Sequence, residues 1–194
     1  PFQKFATELM VLKYGVNEDL AGTVAGLPAL GALFLTPIFG GMIDRRGKAA
    51  SIMMLGSAML IFVHLMYSMP FISSSVIAVA LMIILGIAFS LVPSAMWPSV
   101  AKIFPVKQLG TAYALIFFIQ NIGLFGVPFL IGTVLDKYCV ISNAGGKIQY
   151  DYTLPMCIFT AIATVSLIVA IMLKKADKKY GYGLEKANLQ KKNK

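Results

Sequence analysis

Charged residues are absent from four long stretches of this chain, and those stretches predict its elements. Leu20 to Ile43 is uncharged for 24 residues and Ala49 to Ala101 for 53. Leu109 to Leu135 adds 27 more, and Tyr152 to Leu173 a further 22. A bilayer core about 30 Å thick is crossed by roughly 20 apolar helical residues. The longest stretch therefore holds two crossings, with a break predicted at Ser68-Met69-Pro70 and Ser73-Ser74-Ser75. The pattern predicts five complete spanning helices. Membrane-barrel strands would need segments of about ten residues with alternating polarity, which these runs exclude.

Residues 1–14 are mixed in polarity and predict a sixth, partial span. It stops at Gly15-Val16-Asn17, a helix end followed by a helix cap. Fourteen helical residues reach only about 21 Å, so we expect the chain to open inside a helix, with further sequence upstream. The expected organisation is a six-helix bundle over 1–173 and a basic tail over 174–194, solvated and held near anionic headgroups. The fold class is an all-α membrane protein. The third helix (51–67) and the sixth (153–173) are the most uniformly apolar and are expected to face lipid. The first, fourth and fifth carry polar groups, which in a membrane face protein or water. This three-helix rhythm suggests a 3+3 inverted repeat.

Composition agrees: 58% of residues are hydrophobic, 13% are charged, and the mean hydropathy is +0.80. A soluble domain carries about 25% charged residues. The net charge of +9 raises the question of nucleic acid, but its distribution answers it. Eight of the 17 basic residues lie in the last 21 positions. Five of the other nine cluster in alternate loops: Arg45, Arg46 and Lys48 after the second helix, Lys102 and Lys107 after the fourth. By the positive-inside rule these loops and the tail are cytoplasmic. Lipid, not nucleic acid, is the partner this charge implies. The 136–152 loop, where Asp136, Lys137, Lys147 and Asp151 cancel, falls on the other side.

Gly40-Gly41-Met42-Ile43-Asp44-Arg45-Arg46-Gly47-Lys48 is the most specific motif. Gly40 would let a neighbouring helix approach closely. Asp44 can accept from a helix N-terminus or pair with an arginine. Arg45 and Lys48 complete a charge cluster of the kind that forms in one conformation and breaks in another. With Gly47, the motif fits G-x-x-x-D-R-x-G-[RK] and resembles the loop signature of the major facilitator superfamily. Ala95-Met96-Trp97-Pro98, Gln108-Leu109-Gly110-Thr111-Ala112-Tyr113 and Ile119-Gln120-Asn121-Ile122-Gly123-Leu124 are similar to the branch that holds the lysosomal dipeptide transporters of animals, as are Pro1-Phe2 and Lys13-Tyr14-Gly15-Val16. The resemblance implies the C-terminal half of a twelve-helix secondary transporter. Its partner would be the missing N-terminal half, and its substrate a small polar solute such as a dipeptide, moved by alternating access. Lys4 and Glu8 depart from the animal pattern. With the Lys- and Met-rich composition and short loops, they suggest a bacterial relative in the inner membrane; a eukaryotic chain would sit in the lysosomal membrane.

The candidate substrate residues follow from depth. Lys4 lies about 16 Å and Glu8 about 10 Å below the outer end of the first helix. They share a face, as a cavity pair for carboxylate and amine or as a mutually neutralising pair. Gln120 and Asn121 lie about 17 Å into the fifth helix, and adjacent positions point about 100° apart, so one can face a cavity while the other bonds a neighbouring helix. Trp97 and Tyr113 can close the inner cavity or anchor at the interface. Gly123, Gly126 and Pro128, with Pro93 beside Pro98 in the fourth helix, read as packing and hinge positions. His64 is expected to be a hydrogen-bonded structural residue, Lys13 to snorkel, and Cys139 and Cys157 to stay free thiols. No metal cluster, cofactor motif or nucleophile triad appears, which argues against an enzyme. A channel subunit and a non-transporting scaffold remain the rival classes.

Overall fold

A computed structural model of the chain describes residues 1–144 and 147–188. Six α-helices follow in order: α1 Gln3–Leu12, α2 Glu18–Arg46, α3 Ala49–Ser68, α4 Ser75–Ile103, α5 Leu109–Tyr138 and α6 Thr153–Tyr180. A 3₁₀ turn, Val106–Gln108, leads into α5. Five of the helices are long and apolar enough to cross a membrane. The local reasons are visible at the α1–α2 turn. Gly15 takes a positive φ of 61°, its N–H donates to the Val11 carbonyl, and the Val16 N–H reaches back to Met10. This double return closes the helix and is easiest for glycine. The Asn17 side chain then accepts from the Asp19 N–H at 3.0 Å and starts α2. The acids Glu18 and Asp19 open α2 and the bases Arg45 and Arg46 close it, as the helix dipole favours.

The break between α3 and α4 falls where Met69-Pro70 and the serine run predict it. Two features differ from the sequence reading. Val140–Ala144 and Lys147–Tyr150 form an antiparallel hairpin between α5 and α6, with a bulge between Val140 and Ser142, so this connection is not an irregular loop, while the spanning elements are helical. A partial signal was present: Val140-Ile141 and Ile148-Gln149-Tyr150 flank the sequence pair Gly145-Gly146. Secondly, α6 runs to Tyr180 and not merely to Leu173. Residues 181–188 then fold back onto the bundle instead of extending into solvent, and Leu184 is fully buried. The solvated-tail expectation is corrected for those residues; 189–194 lie outside the described residues.

Packing adds detail to the expectation for α3, which keeps an exposed apolar face at Leu55, Phe62 and Leu65. It is flanked by both α4 and α6, while α2 packs on α4 and α1, and α5 touches the bundle lightly. A uniformly apolar helix reports hydropathy, not which faces meet protein. Small residues decide that here. A Cβ on Gly56 would stand 2.8 Å from Val92 Cγ2, and one on Gly86 would stand 3.2 Å from the Pro28 Cα. These two positions let α3 and α2 close on α4. Ser57 and Ser166 share a 3.0 Å hydrogen bond between α3 and α6. Large exposed apolar side chains are most numerous on α5, where Phe125 is 76% exposed, and also line α6 and α2, where Phe34 is 67% exposed.

The basic segments meet at one end of the bundle. Lys102 from α4 donates to carbonyls of Gly183 and Lys186, and Lys174 from α6 donates to Ser51 at the start of α3. At the opposite end Lys13 does not snorkel outward. Its ammonium donates to the Tyr67 carbonyl at the C-terminus of α3, where a cation suits the dipole.

Candidate functional site

Lys4 and Glu8 are both exposed on α1. Glu8 accepts a 2.8 Å hydrogen bond from the Tyr152 hydroxyl, which fixes its carboxylate against the start of α6. Burial, then the bond to Glu8, raises the Tyr152 phenol above its ordinary pKa, so it stays a donor. Glu8 lines a depression of about 410 Å³ with Thr7, Val11, Leu12, Glu18 and Ile148.

A second cavity, of about 540 Å³, draws residues from all six helices, among them Gln3, Pro28, His64, Phe89, Gln120 and Phe159. Its wall is mostly apolar, and the Gln120 amide is exposed on α5 beside it. Asn121 turns the other way and donates to the Phe117 carbonyl of its own helix at 2.8 Å, not to a neighbouring helix. His64 is buried between Phe2 and Phe159, with ring centroids 5.1 and 5.3 Å away. Among the described residues its Nδ1 has no hydrogen-bond partner. The hydrogen-bonded role expected of it gives way to aromatic packing, because its neighbours at this depth are rings.

Trp97 and Tyr113 come together where the ends of α4 and α5 meet. The Tyr113 hydroxyl donates to the Trp97 carbonyl at 3.2 Å. The Trp97 ring lies 5.7 Å from Tyr113 and 5.0 Å from Phe117. The structure thus places the sequence-derived candidates in three groups: Glu8 with the outer loop, Gln120 in the six-helix cavity, and the aromatic pair at the basic end.

At the α2–α3 loop, the Asp44 carboxylate accepts from the Asn188 side-chain amide at 2.6 Å, in place of the expected helix N-terminus or arginine. Arg45, Arg46 and Lys48 are exposed. Gly40 has open space around it, as do Gly123 and Gly126, so none brings two helices of this chain together. The tight glycine of the motif is Gly47, at φ 73°, where a Cβ would stand 2.5 Å from the Glu185 carbonyl oxygen. Pro93, Pro98 and Pro128 lie inside continuous helices. Cys139 and Cys157 are free. Among the described residues no group of His, Cys, Asp and Glu could hold a metal ion. Sequence reasoning missed Tyr152, Glu185 and Asn188. Glu185 had a signal: it is one of two acids, with Asp177, in a Lys-rich tail.

A family model described as Major Facilitator Superfamily matches residues 5–193. The lysosomal dipeptide transporter MFSD1 of Mus musculus is 27% identical over 184 residues, covering 95% of this chain and 36% of that protein. The Homo sapiens protein of the same name is 26% identical over 188 residues, with 95% and 36% covered. That of Danio rerio is 29% identical over 136 residues, with 70% and 29% covered. The chain spans 29–36% of the length of these curated relatives. No solved structure matches it.

Proposed function

The chain belongs to the major facilitator superfamily, and on that premise we propose that it acts as the C-terminal six-helix half of a transporter moving a small polar solute by alternating access. The observation that carries the proposal is the exposure of polar side chains on helices of a membrane bundle. Lys4 and Glu8 on α1 and Gln120 and Asn121 on α5 stand on the bundle's surface. An ammonium at mid-membrane costs about 2.5–3.5 kcal/mol on insertion scales. Such a face is stable against water or protein, not against acyl chains. A water-filled cavity between this half and an N-terminal half provides that environment. The open apolar faces of α2 and α5 flank it and offer the covering half its contacts.

The relatives named as dipeptide transporters supply the substrate class. A dipeptide carries a carboxylate and an ammonium on one short backbone. Lys4 and Glu8, four residues apart on one helix face, are complementary to that pair of charges. The Tyr152 bond orients Glu8 towards its task. The basic end of the bundle faces the cytoplasm, by the loop charge rule.

The test is uptake into proteoliposomes by the full-length protein. Saturable uptake with counterflow supports a transporter; flux that does not saturate overturns it in favour of a channel. Lys4→Gln is expected to abolish the preference for a free dipeptide over its amide-capped form. Unchanged selectivity in that variant removes Lys4 from carboxylate recognition.

A further inference from the structure

The folded-back tail buries Leu184 against the bundle, and it also makes directed polar contacts that apolar packing does not require. α3 begins at Ala49 after Lys48, which has a left-handed backbone and makes no side-chain cap. Its N-terminal donors are satisfied from the far end of the chain. The Ala49 N–H donates to the Leu184 carbonyl at 3.0 Å and the Lys48 N–H to the Glu185 carbonyl at 3.2 Å. The Glu185 carboxylate takes the Ser51 N–H at 2.9 Å through one oxygen and the Ser51 hydroxyl at 2.7 Å through the other. A carboxylate at a helix N-terminus is the favoured charge there.

The same segment reaches the other helices at this end. Asn188 donates twice to Asp44, from its N–H to the carbonyl at 2.9 Å and from its side-chain amide to the carboxylate at 2.6 Å. Leu184 N–H donates to Asp177 on α6 at 2.9 Å, and Lys102 on α4 holds the carbonyls of Gly183 and Lys186. Eight residues, 181–188, therefore tie the ends of α2, α3, α4 and α6. Nearly all the bonds are polar and lie at a water-facing end. Water can replace the exposed ones, and opening must also withdraw the single fully buried side chain of the segment, Leu184, from its contacts with Ile43, Ala49 and Ala50.

We propose that residues 181–188 are a latch on the Asp44–Ser51 loop, closed in this structure, which must open in each transport cycle. Closed, it occupies one oxygen of Asp44 with Asn188 and backs Gly47 with the Glu185 carbonyl, so the loop cannot rearrange or give Asp44 to another partner. Open, it frees Asp44 and uncaps α3. The cycle part of this proposal rests on the transporter reading above; the closed latch does not.

Two measurements on the full-length protein separate the ideas. The first is hydrogen exchange of the amides at Lys48, Ala49 and Ser51. Exchange is expected to rise about tenfold or more in the variant Glu185→Ala relative to the unmodified protein, and to be unmoved by substituting an exposed tail residue, Ala187→Ser. Unchanged exchange in Glu185→Ala overturns the latch whether or not the protein transports. The second is a reducible cross-link between Ser51→Cys and Glu185→Cys in a Cys139→Ser, Cys157→Ser background. The bridge is expected to form in most molecules, to lower uptake at least tenfold, and to release it on reduction. Failure of the bridge to form in folded protein, or full uptake with the bridge in place, overturns the proposal. If the unbridged protein shows no uptake of any dipeptide, the transporter reading fails, and with it the cycle, while exchange still decides whether the latch is closed.

Discussion

The two glycines of the signature loop, Gly40 and Gly47, do opposite things. A Cβ at Gly40 meets nothing within 4 Å, whereas one at Gly47 would overlap the tail backbone at a φ of 73°. Gly47→Ala is expected to lower stability by about 1–3 kcal/mol, the cost of holding a side chain in that backbone region. Gly40→Ala is expected to be neutral or to add about 0.5–1 kcal/mol, since alanine suits a helix interior better. Denaturation of the two variants in one detergent checks the contrast, and equal effects contradict it. Asp44 is a matter of charge, not shape. Asp44→Asn keeps an acceptor for Asn188 but removes the negative charge. It is expected to slow uptake about fivefold or more with an unchanged melting temperature. Unchanged uptake at matched protein level rejects a gating role for Asp44.

At the scale of elements, the spanning helices were legible because hydropathy and length leave little freedom: an uncharged run of 22 or more residues can satisfy its backbone in lipid as a helix. Their partners were not legible. Which face of α3 meets α4 depends on one missing side chain, Gly56, and on its fit against Val92 and Ala88, and no average over a helix contains that. Sequence singled out Gln120 and Asn121 by residue type and depth; both are exposed on α5, with Asn121 bonded to the Phe117 carbonyl of its own helix. The Glu8–Tyr152 bond joins residues separated by 144 positions, and no local pattern announces it. The start of α6 is a local feature that sequence does encode. Asp151 accepts from the Thr153 N–H at 2.8 Å, and its hydrogen bonds with Thr153 hold the carboxyl below its ordinary pKa of 3.8. A lowered folded-state value means the ionised form stabilises the fold above the ordinary pKa and that this contribution fades as pH falls through the lowered one. Melting curves from pH 7 to 3 are expected to show the wild type losing more stability than Asp151→Asn, whose side chain carries no charge. Parallel curves contradict the cap.

For the whole molecule, the unevenly covered surface is the informative fact. α3 and α4 are well enclosed, while α2 and α5 present Leu33, Phe34, Phe125 and Phe129. If an N-terminal half covers those helices, a cysteine replacing Phe125 is expected to be labelled in this chain alone and protected when the upstream half is co-expressed. Equal labelling in both assigns α5 to lipid. The tail contact has a consequence in time as well as in space. Glu185 lies 134 residues beyond Ser51, and ribosomes add about 5–20 residues per second. Helix α3 therefore precedes its cap by roughly 7 to 27 seconds of synthesis. During that interval its first donors must be served by water or lipid headgroups. Only a chain translated through Asn188 can finish this end, so a premature stop leaves the start of α3 without its partners.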